Sequence, residues 1–276
     1  MKIQLIKVIF FFLSISLSYA QQNLLTRSNS LKFAQYLLTT AQYDYAQEEY
    51  ERVIYFYPKD TTAILSIVDV YTFGGKCQKL DYSLDLLSRI DKPRTNLIFW
   101  KKYLNLSLKC KSFDNNYNRF VNLMKEGEKE YYALSKSWLS NDFEKIKNFE
   151  IKKSPKNNSK FEKLLRLTKQ YKRKKFKKPG LALIMSAIIP GSGKAYSKRW
   201  GDAFVSFIFV ASNAWISYRA FNKKGISSVN GWIFGGLSFS FYVSNIWGSF
   251  KAAKNYNNHI KHTYQREAEN IIYHNF

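Results

Sequence analysis

Residues 43–58 read Tyr43-Asp44-Tyr45-Ala46-Gln47-Glu48-Glu49-Tyr50-Glu51-Arg52-Val53-Ile54-Tyr55-Phe56-Tyr57-Pro58. Ala46, Tyr50, Val53 and Ile54 fall at i, i+4, i+7 and i+8, which places them on one face of a helix. Pro58 ends that helix, because it lacks the N–H that the ladder needs. Just upstream, Leu31-Lys32-Phe33-Ala34-Gln35-Tyr36-Leu37-Leu38 supplies the apolar face of another helix. Two helices with a tight turn between them form a hairpin whose apolar faces need neighbours. Glycines are few and strand-like alternation is nearly absent from Leu24 to about Tyr171, so the expectation for this stretch is all-α.

The set Tyr43, Ala46, Tyr50, Val53 and Pro58 has echoes downstream. The same offsets recur as Leu80, Ser83, Leu87 and Ile90, and again as Phe113, Asn116, Phe120 and Leu123; a weaker copy holds Phe143, Ile146 and Phe149. This pattern resembles the second helix of the tetratricopeptide repeat family, with its aromatic, small, aromatic and aliphatic positions before a proline. The copies start 37, 33 and 30 residues apart, near the family's usual ~34. Asn116 stands where a small residue belongs, and no copy carries the full first-helix pattern. The resemblance, over roughly residues 25–155, implies a solenoid of stacked hairpins with a concave surface that binds a protein or peptide.

Residues 1–20 open with Lys2 and Lys7, continue through an apolar run from Val8 to Leu13 and end in Ser18-Tyr19-Ala20. That is the pattern of a signal peptide cut after Ala20, with an uncleaved anchor as the alternative. Either way the following region leaves the cytoplasm, where a disulfide can persist. Cys77 and Cys110 lie 33 apart, which matches no metal or redox pair. Their similar places in successive repeats favour two small buried side chains over a bond.

The net charge of +24 is unevenly spread: no acid lies between Glu162 and Asp202, and the densest basic cluster, residues 172–178, directly precedes a hydrophobic stretch. That position favours anionic lipid at 172–178 over nucleic acid, which is not an expected partner. Three uncharged runs follow, Leu181 to Gly193, Ala203 to Tyr218 and Ile226 to Phe250. The second and third are expected to cross a bilayer as helices. The first is short of the ~20 residues a crossing needs, yet an arrangement of three crossings is slightly favoured, with the chain beyond Lys251 on the cytoplasmic side. Gly231, Gly235 and Gly248 are expected to let membrane helices approach closely, and Asn245 to bond helix to helix. Trp232 and Trp247 suit the two interfaces.

Pro190, Gly191, Gly193 and Tyr196 form a candidate structural turn. A phosphate loop would need four residues between its glycines and a hydroxyl where Ala195 stands. Together with Ser186, Ala187, Arg199, Trp200 and Gly201, the turn resembles a poorly characterised bacterial membrane family with a Pro-Gly-x-Gly-x-x-Tyr element. The stretch from Asn245 to Asn257 resembles that family's end, so the likeness covers about 179–257. It implies a membrane architecture and no chemistry.

His259 and His262 are one helical turn apart, but a zinc site needs further ligands. No serine, histidine and acid set can be assembled, so the reading is not an enzyme, with no cofactor and no metal. The expected organisation is a signal peptide at 1–20, a tetratricopeptide-like domain at 21–165, a basic juxtamembrane linker at 166–180, a helical membrane domain at 181–250 and a polar basic tail at 251–276. The expected role is a periplasmic scaffold anchored in the bacterial inner membrane, or associated with the outer membrane, holding a protein or peptide partner. The alternative is a small transport or channel component regulated by the repeats. The uncharged runs hold no Asp, Glu, Lys, Arg or His, which weighs against that alternative.

Overall fold

The computed structural model of the protein describes residues 25–90, 93–150 and 159–273. The signal peptide expected at 1–20 lies outside them. Every regular element among the described residues is helical. The chain divides into two compact units, Met1–Asn158 with Ile272–Phe276, and Ser159–Ile271.

The first unit is a series of hairpins: α1 (Arg27–Thr39) with α2 (Tyr43–Phe56), α3 (Thr61–Phe73) with α4 (Leu80–Leu87), α5 (Pro93–Lys109) with α6 (Asn115–Asn122), and α7 (Glu126–Leu139) with α8 (Phe143–Asn148). A short 3-10 turn, Cys77–Lys79, leads into α4. The first helices of the hairpins start at Arg27, Thr61, Pro93 and Glu126, separations of 34, 32 and 33.

One turn geometry closes all four hairpins. Ala41, Gly75, Lys111 and Asn141 each have φ between +51° and +63°. In each turn the next residue's N–H donates five residues back: Gln42 to Leu37, Lys76 to Tyr71, Ser112 to Ser107 and Asp142 to Ser137, at 2.9–3.0 Å. This is the Schellman arrangement, which uses carbonyls that a helix end leaves orphaned. Side-chain caps start the following elements: Asp60 accepts from the Thr62 and Ala63 N–H groups, Asp114 from Tyr117 and Asp142 from Lys145.

The core takes Ala46, Tyr50, Val53 and Ile54 from α2, with Ile64, Ile67, Val68 and Tyr71 from α3. Leu80, Ser83 and Ile90 are also buried, and Leu87 is half-buried while Leu86 is fully enclosed. The third copy is out of register with the sequence offsets. Tyr117, Phe120, Val121 and Met124 point inward, whereas Leu123 is 50% exposed; the inward set has the i, i+3, i+4, i+7 spacing of one helix face. Phe113 and Tyr43 are half-buried at the turns, and Pro58 is exposed in the α2–α3 connection.

Cys77 and Cys110 are bonded, with Cα atoms 5.5 Å apart, so the expectation of two separate buried thiols is corrected. Each cysteine sits beside a left-handed turn residue, two after Gly75 and one before Lys111. Stacked hairpins carry equivalent turns to one edge, where the two sulfurs meet. Ion pairs link successive hairpins along the series: Arg27 with Asp60 and Lys79 with Glu51 at 3.1 Å between the first and second, Asp69 with Lys102 between the second and third, and Lys101 with Glu128 at 2.5 Å between the third and fourth.

The second unit contains α9 (Ser159–Lys172), α10 (Pro179–Ile188), α11 (Ser192–Tyr196), α12 (Trp200–Lys224) and most of α13 (Val229–Tyr273). The stretch expected to be a linker, 166–180, is thus partly helical, since α9 runs to Lys172. No separate tail begins at residue 251: α13 continues unbroken for 45 residues, about 68 Å. Its polar end has its own packing, with Ala253 and Ala268 buried and the Tyr264 ring 5.5 Å from that of Tyr171 on α9.

The Asn257 side chain brackets the backbone of Lys177, accepting from its N–H at 2.8 Å and donating to its carbonyl at 2.7 Å. The chain beyond residue 251 therefore lies at the end of the unit where α10 begins, not the opposite end that three crossings demand. The ten residues of α10 also span only about 15 Å. No described helix is long and apolar enough to cross a membrane. Serine, glycine, asparagine and tryptophan dilute the uncharged runs of α12 and α13, so absence of charge overstates their hydropathy.

Candidate functional site

The junction of α10, α11, α12 and α13 is the most closely built polar region of the second unit. Pro190 follows the end of α10, and Gly191 turns the chain with φ +90°. A β-carbon on Gly191 would lie 2.2 Å from the Ala203 carbonyl oxygen. Gly193 is needed for a different reason from the one its motif suggests. Its backbone is helical, but a β-carbon there would lie 1.9 Å from the Ala182 carbonyl oxygen. The Tyr196 hydroxyl accepts from the Lys178 N–H at 3.3 Å, and the Lys177 ammonium lies 4.3 Å from the Tyr196 ring centroid.

Close approach lets a chain of hydrogen bonds run through the junction. The Gly193 N–H donates to Ser186 Oγ at 2.9 Å, Ser186 donates to Ser249 Oγ at 2.6 Å, and Ser249 donates to the Asn245 carbonyl at 2.8 Å. Tyr242 donates to the Ala187 carbonyl at 2.7 Å. Further along the α12–α13 seam, Ser217 donates to the Gly231 carbonyl and Ser238 to the Val210 carbonyl. Gly231 faces the Phe221 ring and Gly235 faces Ser217 Oγ, each too close for a β-carbon to fit without movement. Trp232 donates to the Ile226 carbonyl at 3.0 Å.

Among the described residues the Asn245 side chain bonds to no other helix: it is 2% exposed, and neither its amide nitrogen nor its oxygen has a partner there. It lines a cleft of about 240 Å3 with Lys194, Val205, Ser206, Phe209 and Phe241. A second cleft, about 510 Å3, shares Lys194, Val205 and Ser206 and adds Arg199, Asp202, Lys251 and Asn255. Lys194 donates to Ser206 Oγ at 2.6 Å, with Gly248 against its side chain; Arg199 pairs with Asp202 at 2.5 Å. Outside these clefts α12 and the first half of α13 expose large apolar side chains, among them Phe204, Phe207, Trp215, Trp232, Phe239 and Trp247.

In the first unit, a groove of about 310 Å3 between α6, α7 and α8 is lined by Tyr117, Asn118, Lys129, Lys136, Asp142 and Lys145. Lys136 donates to Asn118 Oδ1 at 2.9 Å and lies 5.5 Å from the ring centroids of Phe113 and Tyr117. Lys145 pairs with Asp142 at 2.6 Å. Phe33 and Tyr36 on α1, and Tyr45 and Tyr55 on α2, are exposed aromatics. The sequence offsets pointed to packing positions and missed this groove, whose lysines come from two helices, α7 and α8, and share no motif.

Comparison with family models, curated proteins and solved structures finds no match. Among the described residues, no group of three or more His, Cys, Asp or Glu side chains gathers where a metal ion could be held.

Proposed function

We propose that the chain is a bilayer-anchored scaffold of the bacterial envelope, with the helical hairpins of the first unit outside the cytoplasm holding a protein or peptide partner. The observation that carries this reading is the reversed polarity of the α12–α13 pair. Large apolar side chains such as Phe204, Phe207, Trp215, Phe239 and Trp247 face outward, while Ser217, Ser238 and Ser249 are buried and bonded to backbone carbonyls. In water this arrangement exposes an apolar surface without compensation. In lipid it satisfies the inward polar groups and presents apolar ones outward.

Mean hydropathy averages over both faces, so the polar seam lowers the score of each helix even where the outer face is apolar. The inner membrane fits this helical pair better than the outer, whose spans are closed barrels. The bond between Cys77 and Cys110 supports an oxidising compartment for the first unit. The apolar leader at residues 1–20 supports export. The basic stretch 172–178 would then meet anionic headgroups, and the groove of Lys129, Lys136 and Lys145 with its flanking aromatic rings would suit an acidic peptide.

The test is fractionation and thiol labelling of the full chain. The protein is expected to resist carbonate extraction from inner-membrane vesicles. Single cysteines at Glu144 and Asn258, in a Cys77→Ser/Cys110→Ser background, are expected to react with an impermeant reagent from the periplasmic face. Recovery in the soluble fraction overturns the anchor, and cytoplasmic labelling at Asn258 overturns the two-crossing hairpin.

A further inference from the structure

Two clefts share Lys194, Val205 and Ser206, and together they make an amphipathic track along α11, α12 and α13. The apolar end is Val205, Phe209 and Phe241. The polar end is Lys194, Arg199, Asp202, Lys251 and Asn255. Asp202 is matched by Arg199 at 2.5 Å, which leaves two cationic side chains, Lys194 and Lys251, facing the polar end. Between the ends sits Asn245, 2% exposed, with both polar atoms of its amide unpartnered among the described residues. Leaving a buried amide unsatisfied is destabilising, and an apolar residue would pack in its place without that cost.

A cation pair, a buried amide six residues from Lys251 along α13 and an apolar trough beyond it are arranged in the order of headgroup, ester and acyl chain. We propose that this track binds one anionic glycerophospholipid. Its phosphodiester oxygens accept from Lys194 and Lys251, an ester carbonyl accepts from the Asn245 amide, and an acyl chain lies along Phe209 and Phe241. A zwitterionic lipid brings its own cation to the polar end and is disfavoured there. A free phosphate has no chain for the trough and does not reach Asn245.

The inference rests on the bilayer reading for the source of the lipid, so the test is done in detergent, where the two can fail separately. Full-length protein in a neutral maltoside is examined by native mass spectrometry with phosphatidylglycerol, phosphatidylcholine or glycerol phosphate. One phosphatidylglycerol adduct is expected, at about tenfold higher affinity than phosphatidylcholine, a difference of about 1.4 kcal/mol. Asn245→Leu, Lys194→Gln and the exposed Lys251→Gln should each lower its retention several-fold. Lys223→Gln, on an exposed position elsewhere on α12, should not. Lys251→Gln keeps the test decisive if Asn245→Leu or Lys194→Gln fails to fold. Equal retention of the two phospholipids, equal binding of glycerol phosphate, or the same loss in Lys223→Gln overturns the proposal. A protein that floats with liposomes yet shows no preference for phosphatidylglycerol sinks the lipid site and leaves the anchor standing.

Discussion

The Ser186 hydroxyl donates to the Ser249 hydroxyl at 2.6 Å, joining α10 to α13 across 63 residues of chain. Because Ser186 also accepts the Gly193 N–H, one short side chain ties three helices. Gly193→Ala should lower stability by at least about 3 kcal/mol, since its new methyl group meets a backbone carbonyl that has no rotamer to change. Ser186→Ala should cost about 1–3 kcal/mol through the donor and acceptor left behind. Gly180→Ala, with open space around it, is the control. Thermal melting in detergent checks the order, and a Gly193→Ala protein that melts with wild type contradicts the close approach.

The Cys77–Cys110 bond closes a loop of 33 residues. In the chain-entropy account such a loop is worth about 3–4 kcal/mol. Reduction, or Cys77→Ser with Cys110→Ser, should lower the melting temperature of the first unit without altering its helical circular dichroism at 25 °C. Equal denaturant midpoints for oxidised and reduced protein would show that the bond adds no stability.

Asp60 links hairpins by capping α3 and pairing with Arg27. Burial alone would raise its pKa, but the Arg27 guanidinium and the Ala63 and Thr62 N–H groups together hold it below the usual carboxylate range. A carboxyl whose folded pKa is depressed adds stability above its unfolded value of about 3.9 and loses it as pH falls through the folded value. Asp60→Asn should therefore destabilise at neutral pH and flatten the acid limb between about pH 4 and the folded pKa. Urea unfolding as a function of pH reads this directly, and parallel curves for the two proteins would remove the linkage.

Lys111 occupies a left-handed turn with φ +51°, a conformation in which a β-carbon crowds the following carbonyl at about 1–2 kcal/mol. Lys111→Gly should raise stability by up to about 1 kcal/mol, because glycine's larger unfolded entropy takes back part of the relief. The same change at the exposed Lys32, inside α1, should lower it by about 1 kcal/mol. A loss of stability in Lys111→Gly would contradict the turn geometry.

Helix content and the inward face of α2 were legible because Ala46, Tyr50, Val53 and Ile54 follow a single period. The third hairpin was not, because Phe113 invites a register starting from it, while the interior is built around Tyr117 and Met124. Its hydroxyl makes Tyr117 look like a surface residue, yet that group finds the Tyr132 carbonyl at 2.8 Å. The shared turn was hidden as well. Alanine, glycine, lysine and asparagine take the same left-handed conformation at the four sites, so backbone geometry repeats where side-chain identity does not. The end of the uncharged run at Phe250 suggested a boundary, but polarity changes there without any change in backbone, and α13 continues. Asn245 was visible as an amide in an apolar run, though nothing in the sequence said that it would lack a partner.

The cross-link also sets how the first unit responds to force. A pull on the chain at either end of the repeats passes from residue 77 to residue 110 through the sulfurs, bypassing α4 and α5. About 115 Å of contour length is withheld from extension, so stretching yields a shorter tether with its middle hairpins clamped. Under load the first unit would give way first at α1–α2 or α7–α8, and reducing conditions would turn that short tether into a long one.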